Sequence, residues 1–381
     1  METSAETAKT TFSVLESIRK HILQLKPLTP RRGLVCIGEY PSRILLKSPL
    51  VEKISGISPI FLQRSGEDIL NMTQLVANSQ NVLEVDVGVD THFWFNVESY
   101  MAQNEGYVRR LRGMMDKLNE AILLVSLWEG LGSALLPTLV SRFRTSSANA
   151  VALAVLPSKS QASDAHFNAL ASIGKCMSNE ASAVVLLGRD FVEDFVGVDR
   201  DGSRMKGNHI IGYLLEMILA KETFTQELNE LSRAFDVKLY TFLAITGASF
   251  KVYGSFETML DAALLNPFLR FDLSSASVLY VLVRAPIHLR DKISKGQIEL
   301  ATAKWSKKIL GIKSIYVSEP VYVDDASDRV DAVVFGGSFD LTELIAFLQK
   351  KAGRIKNEKV KRGLVKGEEW EAIVKGLVAN Q

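Results

Sequence analysis

Cysteine, histidine and charge of one sign are all scarce in this 381-residue chain, and each scarcity removes a class of function. Two cysteines, Cys36 and Cys176, cannot build a disulfide scaffold and lack metal-ligand spacing, which fits a reducing, cytoplasmic setting. Five scattered histidines leave the chain without a metal cluster and without a compact His, Cys or Ser constellation for nucleophilic catalysis. Lysine and arginine total 45 against 43 acidic residues, so the net charge of +2 gives no reason to expect nucleic acid as a partner. Internal repeats and low-complexity segments are missing too. The first thirty residues carry charges of both signs without the apolar core of a signal peptide, and they read as a tail with a helix near Phe12 to Leu25. One apolar stretch, Ala121 to Val140, has about the ~20 residues needed to cross a bilayer. Glu129, Gly130, Gly132 and Pro137 inside it favour a buried strand, a tight loop and a helix instead.

What is present is a core. With 47% apolar residues the chain can bury a sizeable interior and divides into two domains. Short, bounded, valine- and leucine-rich runs at Gly33 to Ile37, Val82 to Val87, Ile122 to Leu127, Val151 to Leu156 and Ala183 to Leu187 read as strands buried on both faces. Helix-period segments lie between them at Tyr107 to Asn119, Leu136 to Phe143 and Ala165 to Met177, and this alternation implies a largely parallel sheet wrapped by helices. Ile210, Ile211, Leu214, Leu215 and Ile218 then repeat at helical spacing with few polar interruptions, which predicts a buried central helix. A smaller α+β unit follows, with helices at Phe256 to Leu264 and Gln297 to Leu310 and strands at Ser277 to Val283, Ser314 to Val317 and Val330 to Val334.

The stretch Trp128-Glu129-Gly130-Leu131-Gly132-Ser133 joins a strand to a helix through two glycines, the usual way to bring backbone N–H groups and a helix N-terminus onto phosphate oxygens. A dinucleotide fingerprint would need a third glycine where Leu135 stands. A glycine pair with Walker-type spacing, GVDRDGSR from Gly197, has Ser203-Arg204 where Lys and Ser/Thr are required. Both standard readings fail, and a purely structural turn is the alternative.

These residues resemble the tubulin/FtsZ superfamily. Trp128 to Pro137 aligns with that family's Gly-Gly-Gly-Thr-Gly-Thr/Ser-Gly loop. Downstream, MLDAALLNPFL is similar to the family's Ala-x-x-Ala-hydroxyl-Pro-Leu-Leu helix end, FDLSSASVLYVLVRAP to its Asp-Leu-Ser-Gly-Ala turn and strand, and DRVDAVVFGGSFD to its last strand with the Ala-Thr-Gly-Phe ending. The resemblance covers residues 33 to 340 in order. It implies a Rossmann-like parallel-sheet GTPase-type domain at 30–205, a central helix at 206–221, a C-terminal α+β domain at 222–343 and a basic helical tail at 344–381, after an N-terminal tail and helix at 1–29. It further implies GTP/GDP as the cofactor and a head-to-tail homopolymer of this chain as the assembly. By position, Gly38, Gly130, Leu131, Gly132 and Ser133 would meet the phosphates, and Asn168 and Asn208 would hydrogen-bond the guanine, since an amide offers both donor and acceptor. As helix caps or satisfied polar residues, the two asparagines have an ordinary alternative.

Departures from the family pattern are as informative. The first phosphate loop reads Gly38-Glu39-Tyr40-Pro41-Ser42-Arg43, where Pro41 removes a donor and Tyr40 adds bulk. Glu39 and Glu129 would set two carboxylates beside a triphosphate, a repulsion that Mg²⁺ or Arg43 would have to neutralise. A third loop expected near Gly88 to Asn96 reads GVDTHFWFN. In this family, acidic residues of one subunit orient water at the nucleotide of the next. Glu227 takes the glutamate position of that pattern, Phe224 replaces the first acid, and Glu227 also suits a helix's first turn for its own sake. The expected activity is therefore a weak or lost GTPase completed between subunits. The alternatives are a nucleotide-free scaffold that retains the fold and, below it, a small-molecule enzyme on an unrelated α/β fold. The basic segment at 350–381, with Trp370, Ile373, Val374 and Leu377 on one face, either packs back on the body or recruits a membrane adaptor or an anionic membrane.

Overall fold

The computed structural model describes residues 13–22, 31–47, 57–65, 81–145, 148–178, 182–198, 202–263, 268–270, 272–309 and 312–379. The chain forms two compact units, Pro30–Val192 with Leu341–Gln381, and Met1–Thr29 with Glu193–Asp340.

In the first of these, six strands are all parallel: β1 (Arg32–Ile37), β2 (Ile57–Arg64), β3 (Val82–Val85), β4 (Glu120–Ser126), β5 (Asn149–Leu156) and β6 (Val184–Gly188). Their order across the sheet is β3-β2-β1-β4-β5-β6. Every residue of β4 and β6 is buried, as continuous apolar runs require when helices cover both faces. The run from Ala121 to Val140 resolves into β4, a short turn and the helix Gly130–Thr145. Among the described residues no helix is long and apolar enough to cross a membrane. Strand β2 was not expected from the sequence, because Pro59, Gln63 and Arg64 interrupt its apolar pattern; parallel pairing with both β1 and β3 forms it nonetheless.

The C-terminal segment belongs to this unit. Helices Thr342–Lys361 and Gly367–Ala379 lie on helix Ser163–Ser178, where the Trp370 ring stacks on Phe167 with centroids 4.8 Å apart and planes 2° from parallel. Gly174 admits the closest approach, since a Cβ there would lie 2.6 Å from the backbone oxygen of Ile373. Trp370, Ile373 and Leu377 are buried, and Lys175 Nζ reaches Glu98 at 2.7 Å and Glu369 at 3.6 Å. Of the two roles left open for this stripe, packing on the body accounts for its apolar residues. Trp370, Ile373 and Leu377 are thereby withheld from a bilayer or a partner groove, while Val374 stays half-buried.

The other unit carries the hairpin β7 (Val196–Val198) and β8 (Arg204–Lys206), the helices His209–Ala220 and Phe224–Phe235, and a mixed sheet. Its strands are β9 (Leu239–Ser249), β10 (Val278–Pro286), β11 (Ser314–Val317), β12 (Val321–Val323) and β13 (Arg329–Gly337). β13 runs antiparallel between β9 and β10, with a register shift between Val334 and Phe335, and β10 pairs in parallel with β11 and β12. Helices Phe256–Ala263 and Lys295–Ile309 cover it, and Met259, Leu260, Ile298 and Trp305 fill the core against Leu279, Val281 and Val283. The predicted central helix is His209–Ala220, with Ile210, Ile211, Leu214, Leu215 and Ile218 buried. It is tied to the sheet by charge. Arg284 donates to Glu216 at 2.6 Å and to Asp331 at 3.0 Å, and Arg329 donates to Asp331 at 2.8 Å. Burial opposes ionisation of Asp331, but Arg284 and Arg329 outweigh it and hold the carboxyl below its usual range. Residues 264–267 and Phe271 of the resemblance motifs, 199–201 of the glycine pair, 23–25 of the first helix and 1–12 of the tail lie outside the described residues.

Candidate functional site

In a parallel sheet the chain leaves each strand at its C-terminal end. Where the strand order reverses, neighbouring connections diverge and open a crevice. Here the reversal falls between β1 and β4. The turn after β1, at Gly38, and the turn after β4, at Trp128-Glu129, therefore border the same opening. A cleft of about 390 Å³ lies there, lined by Glu39, Arg64, Val89, Asp90, Thr91, His92, Trp128, Glu129, Leu131, Gln161, Ala162, Asp164 and Ala165.

The glycines at this edge are dictated by protein atoms. Gly130 opens the helix Gly130–Thr145, and a Cβ on it would lie 2.5 Å from both the Thr91 oxygen and the Phe93 carbonyl carbon. A Cβ on Gly132 would lie 2.1 Å from the Ser126 carbonyl oxygen. Ser133 turns its hydroxyl back to the Leu127 carbonyl at 2.8 Å, and Leu131 is buried but reaches the cleft wall. Gly38 has φ +96°, a conformation that side chains disfavour, and a Cβ there would stand 2.2 Å from Glu129 Oε2. The spacing read from sequence thus brings Gly38, Gly130, Leu131, Gly132 and Ser133 to one edge. What presses on the three glycines is the chain itself.

The contents of the cleft differ from a phosphate cradle. Tyr40 meets Trp128 edge to face at 4.7 Å, and the Arg189 guanidinium lies 4.8 Å from the Trp128 ring and 5.6 Å from Tyr40. Glu39 heads its helix and pairs with Arg43 one turn on, so Arg43 is committed. Asp90 accepts from the His92 backbone N–H at 2.9 Å and from Asn96 at 2.8 Å, and His92 Nε2 pairs with Asp164. Four carboxylates, on Glu39, Asp90, Glu129 and Asp164, line the space with Arg64. Arg43 and His92 offset Glu39 and Asp164, which leaves Asp90 and Glu129, where a phosphate 4 Å from a carboxylate would be repelled by about 4 kcal/mol at an effective dielectric of 20. Among the described residues no three His, Cys, Asp or Glu side chains are grouped to hold a metal ion. The residues present do not fit a triphosphate.

Asn168 is brought to the same edge but is fully buried, and its amide is committed to backbone. Its Oδ1 accepts from Trp94 N–H at 3.2 Å, while Nδ2 donates to the carbonyls of His92 at 2.8 Å and Trp128 at 3.2 Å. Asn208 belongs to the other unit, where it precedes the helix His209–Ala220 in helical conformation and makes no side-chain cap. Glu227, also in that unit, is 3% exposed. Its oxygens accept from Thr223 at 2.7 Å and from Tyr280 at 2.8 Å, with Lys221 Nζ at 3.6 Å. Burial, and then the Glu227 charge, raise the Tyr280 hydroxyl well above its usual pKa, so Tyr280 stays a donor. As arranged, the carboxylate serves an internal network and is not offered to a neighbouring molecule. Sequence reasoning placed Asp90 here only as part of the third loop, without a role, and missed Arg64, Asp164 and Arg189 as residues of this edge. For those three no local signal existed, because their places follow from strand order.

A parallel sheet of order 3-2-1-4-5-6 with a cleft at its switch point defines a nucleotide-type α/β unit. No family model and no curated protein matches the sequence. Solved structures do. CetZ1 from Haloferax volcanii, solved as a GDP-bound monomer, is 14% identical with a TM-score of 0.64, covering 86% of this chain and 99% of its own. CetZ2 from the same organism, solved as a GTPγS-bound protofilament, is 15% identical with a TM-score of 0.62 over 86% and 99%. FtsZ from M. jannaschii, solved as an empty dimer, is 11% identical with a TM-score of 0.58 over 86% and 92%. The chain has the tubulin/FtsZ superfamily fold.

Proposed function

We propose that this chain is a cytoskeletal protein that assembles head to tail into filaments, that it has lost GTP hydrolysis, and that its assembly proceeds without a bound triphosphate. The observation that carries this reading is a fold retained over nearly its whole length around a switch-point edge filled by Glu129, Tyr40, Trp128 and Arg189. Head-to-tail contact between unlike faces leaves open ends and yields filaments by default. CetZ2, one of the similar structures, was solved as a protofilament. Glu227 supports loss of turnover, since a carboxylate bound to Thr223 and Tyr280 would have to abandon both to orient water elsewhere.

A second reading keeps guanine nucleotide as a weakly held ligand of the cleft. It is favoured by the 390 Å³ opening and by the GDP and GTPγS in the similar structures, with Gly38, Gly130, Leu131, Gly132 and Ser133 toward the phosphates and Asn168 toward the base. One experiment separates the two. Protein purified without added nucleotide is denatured and its supernatant assayed for guanine nucleotide, and a parallel sample is sedimented over a range of concentrations with and without Mg-GTP. Filaments that pellet equally in both conditions, with nothing released, are expected. Released GDP with nucleotide-dependent pelleting would establish the second reading instead, and turnover that climbs faster than linearly with concentration and vanishes in Glu227→Gln would restore the shared catalytic site. Absence of pelletable polymer at every concentration would refute assembly.

A further inference from the structure

Three observations converge on one point between the turn after β1 and the helix that Gly130 opens. Ser126 Oγ is buried without a hydrogen-bond partner and lies 3.2 Å from where a Gly38 Cβ would stand. Glu129 Oε2 lies 2.2 Å from that same position. Glu129 also directly precedes a 16-residue helix, whose first N–H groups have no acceptor within the helix and whose dipole favours negative charge. Glycine at 38, with φ +96°, leaves the room that a side chain would take. Such a place attracts an oxyanion, and the chain puts its own carboxylate there.

We propose that Glu129 is a resident anion, a tethered stand-in for a phosphate group, that holds the Gly38 turn and the Gly130 helix start in their present arrangement. The inference rests on the reading that the cleft takes no triphosphate, and it adds the reason why the loops persist without one. The neighbouring residues close the same space. Tyr40, from the first loop, packs on Trp128, from the second, and Arg189 lies over both rings. Removing the carboxylate, while leaving Ser126 and the helix N-terminus in place, turns the point into a receptor for a small free oxyanion.

The test is rescue by inorganic phosphate. Thermal unfolding of the unmodified protein, Glu129→Ala and Glu129→Gln is followed while phosphate is titrated against chloride at matched ionic strength. The unmodified protein should not respond to phosphate beyond the chloride control. Glu129→Ala should melt several degrees lower and recover most of that loss saturably. Should Glu129→Ala fail to fold, Glu129→Gln decides by its stability in chloride alone, since it keeps the volume, and so excludes phosphate, but removes the charge. Either variant as stable as the parent in chloride, or a phosphate response of Glu129→Ala no larger than the parent's, would overturn the proposal. Sedimentation of the unmodified protein is scored separately. Rescue without filaments upholds the resident anion and refutes the assembly reading, whereas filaments without rescue do the reverse.

Discussion

Replacing Asn168 by alanine separates a residue that reads a base from one that fastens loops. The amide joins three backbone groups from two loops. It accepts from Trp94 N–H and donates to the His92 and Trp128 carbonyls. The Trp94 bond has a particular reason: Trp94 begins the helix Trp94–Gln103, and Phe93 at its N-cap supplies no side-chain acceptor, so a group from another helix meets that orphan donor. Three hydrogen bonds at a net of about 1 kcal/mol each make Asn168→Ala cost roughly 3 kcal/mol. For a unit of this size that lowers Tm by about 6–12 °C. Asn168→Asp sharpens the test. The carboxylate keeps the acceptor for Trp94 but faces two carbonyl oxygens, so its pKa in the folded state is raised; the penalty is present above that pKa and lifts as pH falls, when the acid can donate again. Calorimetry on nucleotide-free protein across pH 4–8 reads both effects. An alanine variant within about a degree of the parent, or one whose loss emerges only when guanine nucleotide is added, would refute the argument.

Two further outcomes follow from the C-terminal helices. Gly174→Ala places a Cβ 2.5 Å from Ile373 Cγ2 and 2.6 Å from its backbone oxygen, so the helix Gly367–Ala379 must move away. We expect a loss of about 1–3 kcal/mol and faster limited proteolysis between the two terminal helices, with Trp370→Ala costing about 3–5 kcal/mol. His166 is fully buried, and its ring meets Phe347 at 5.4 Å. Burial and then the Lys351 charge hold its pKa below the ordinary value. A base with a depressed folded pKa contributes stability above its unfolded value, about 6.5, and loses that contribution as pH falls. Tm should therefore drop between pH 7.5 and pH 5, and His166→Leu should flatten the part of that slope due to this ring.

Strands β4, β5 and β6 were legible because both their faces are buried, so their middles are unbroken apolar runs, with polar Glu120 and Asn149 at the first positions of β4 and β5. β2 and β9 were not. Gln63 is buried in β2 yet donates to Glu84 at 2.7 Å, and β9 carries Thr241, Thr246 and Gly247 among its apolar residues, so neither reads as a continuous run. Helix Trp94–Gln103 opens on the aromatic run His92-Phe93-Trp94-Phe95, and with Phe93 at its N-cap no capping side chain marks where it starts. At the site, residue types were legible and their partners were not. An asparagine can serve a base or a backbone, and only the fold brings His92, Trp94 and Trp128 to Asn168. Glu227 looked like an acid at a helix start, but Tyr280 turns it inward from a strand far along the chain. The stripe of Trp370, Ile373 and Leu377 announced burial without naming Phe167 and Gly174 as the cover.

Because the parallel-sheet unit is closed by residues 341–381, its last two helices leave the ribosome only after the whole of Glu193–Asp340 has been made. At about 5–20 residues per second, that interval lasts roughly 7–30 s. Throughout it, the face of helix Ser163–Ser178 carrying Phe167 and Gly174 has no cover, and a nascent chain arrested there presents an apolar groove. During synthesis, then, Phe167 and Gly174 wait for Trp370 and Ile373, and the unit is complete only when the last helix arrives.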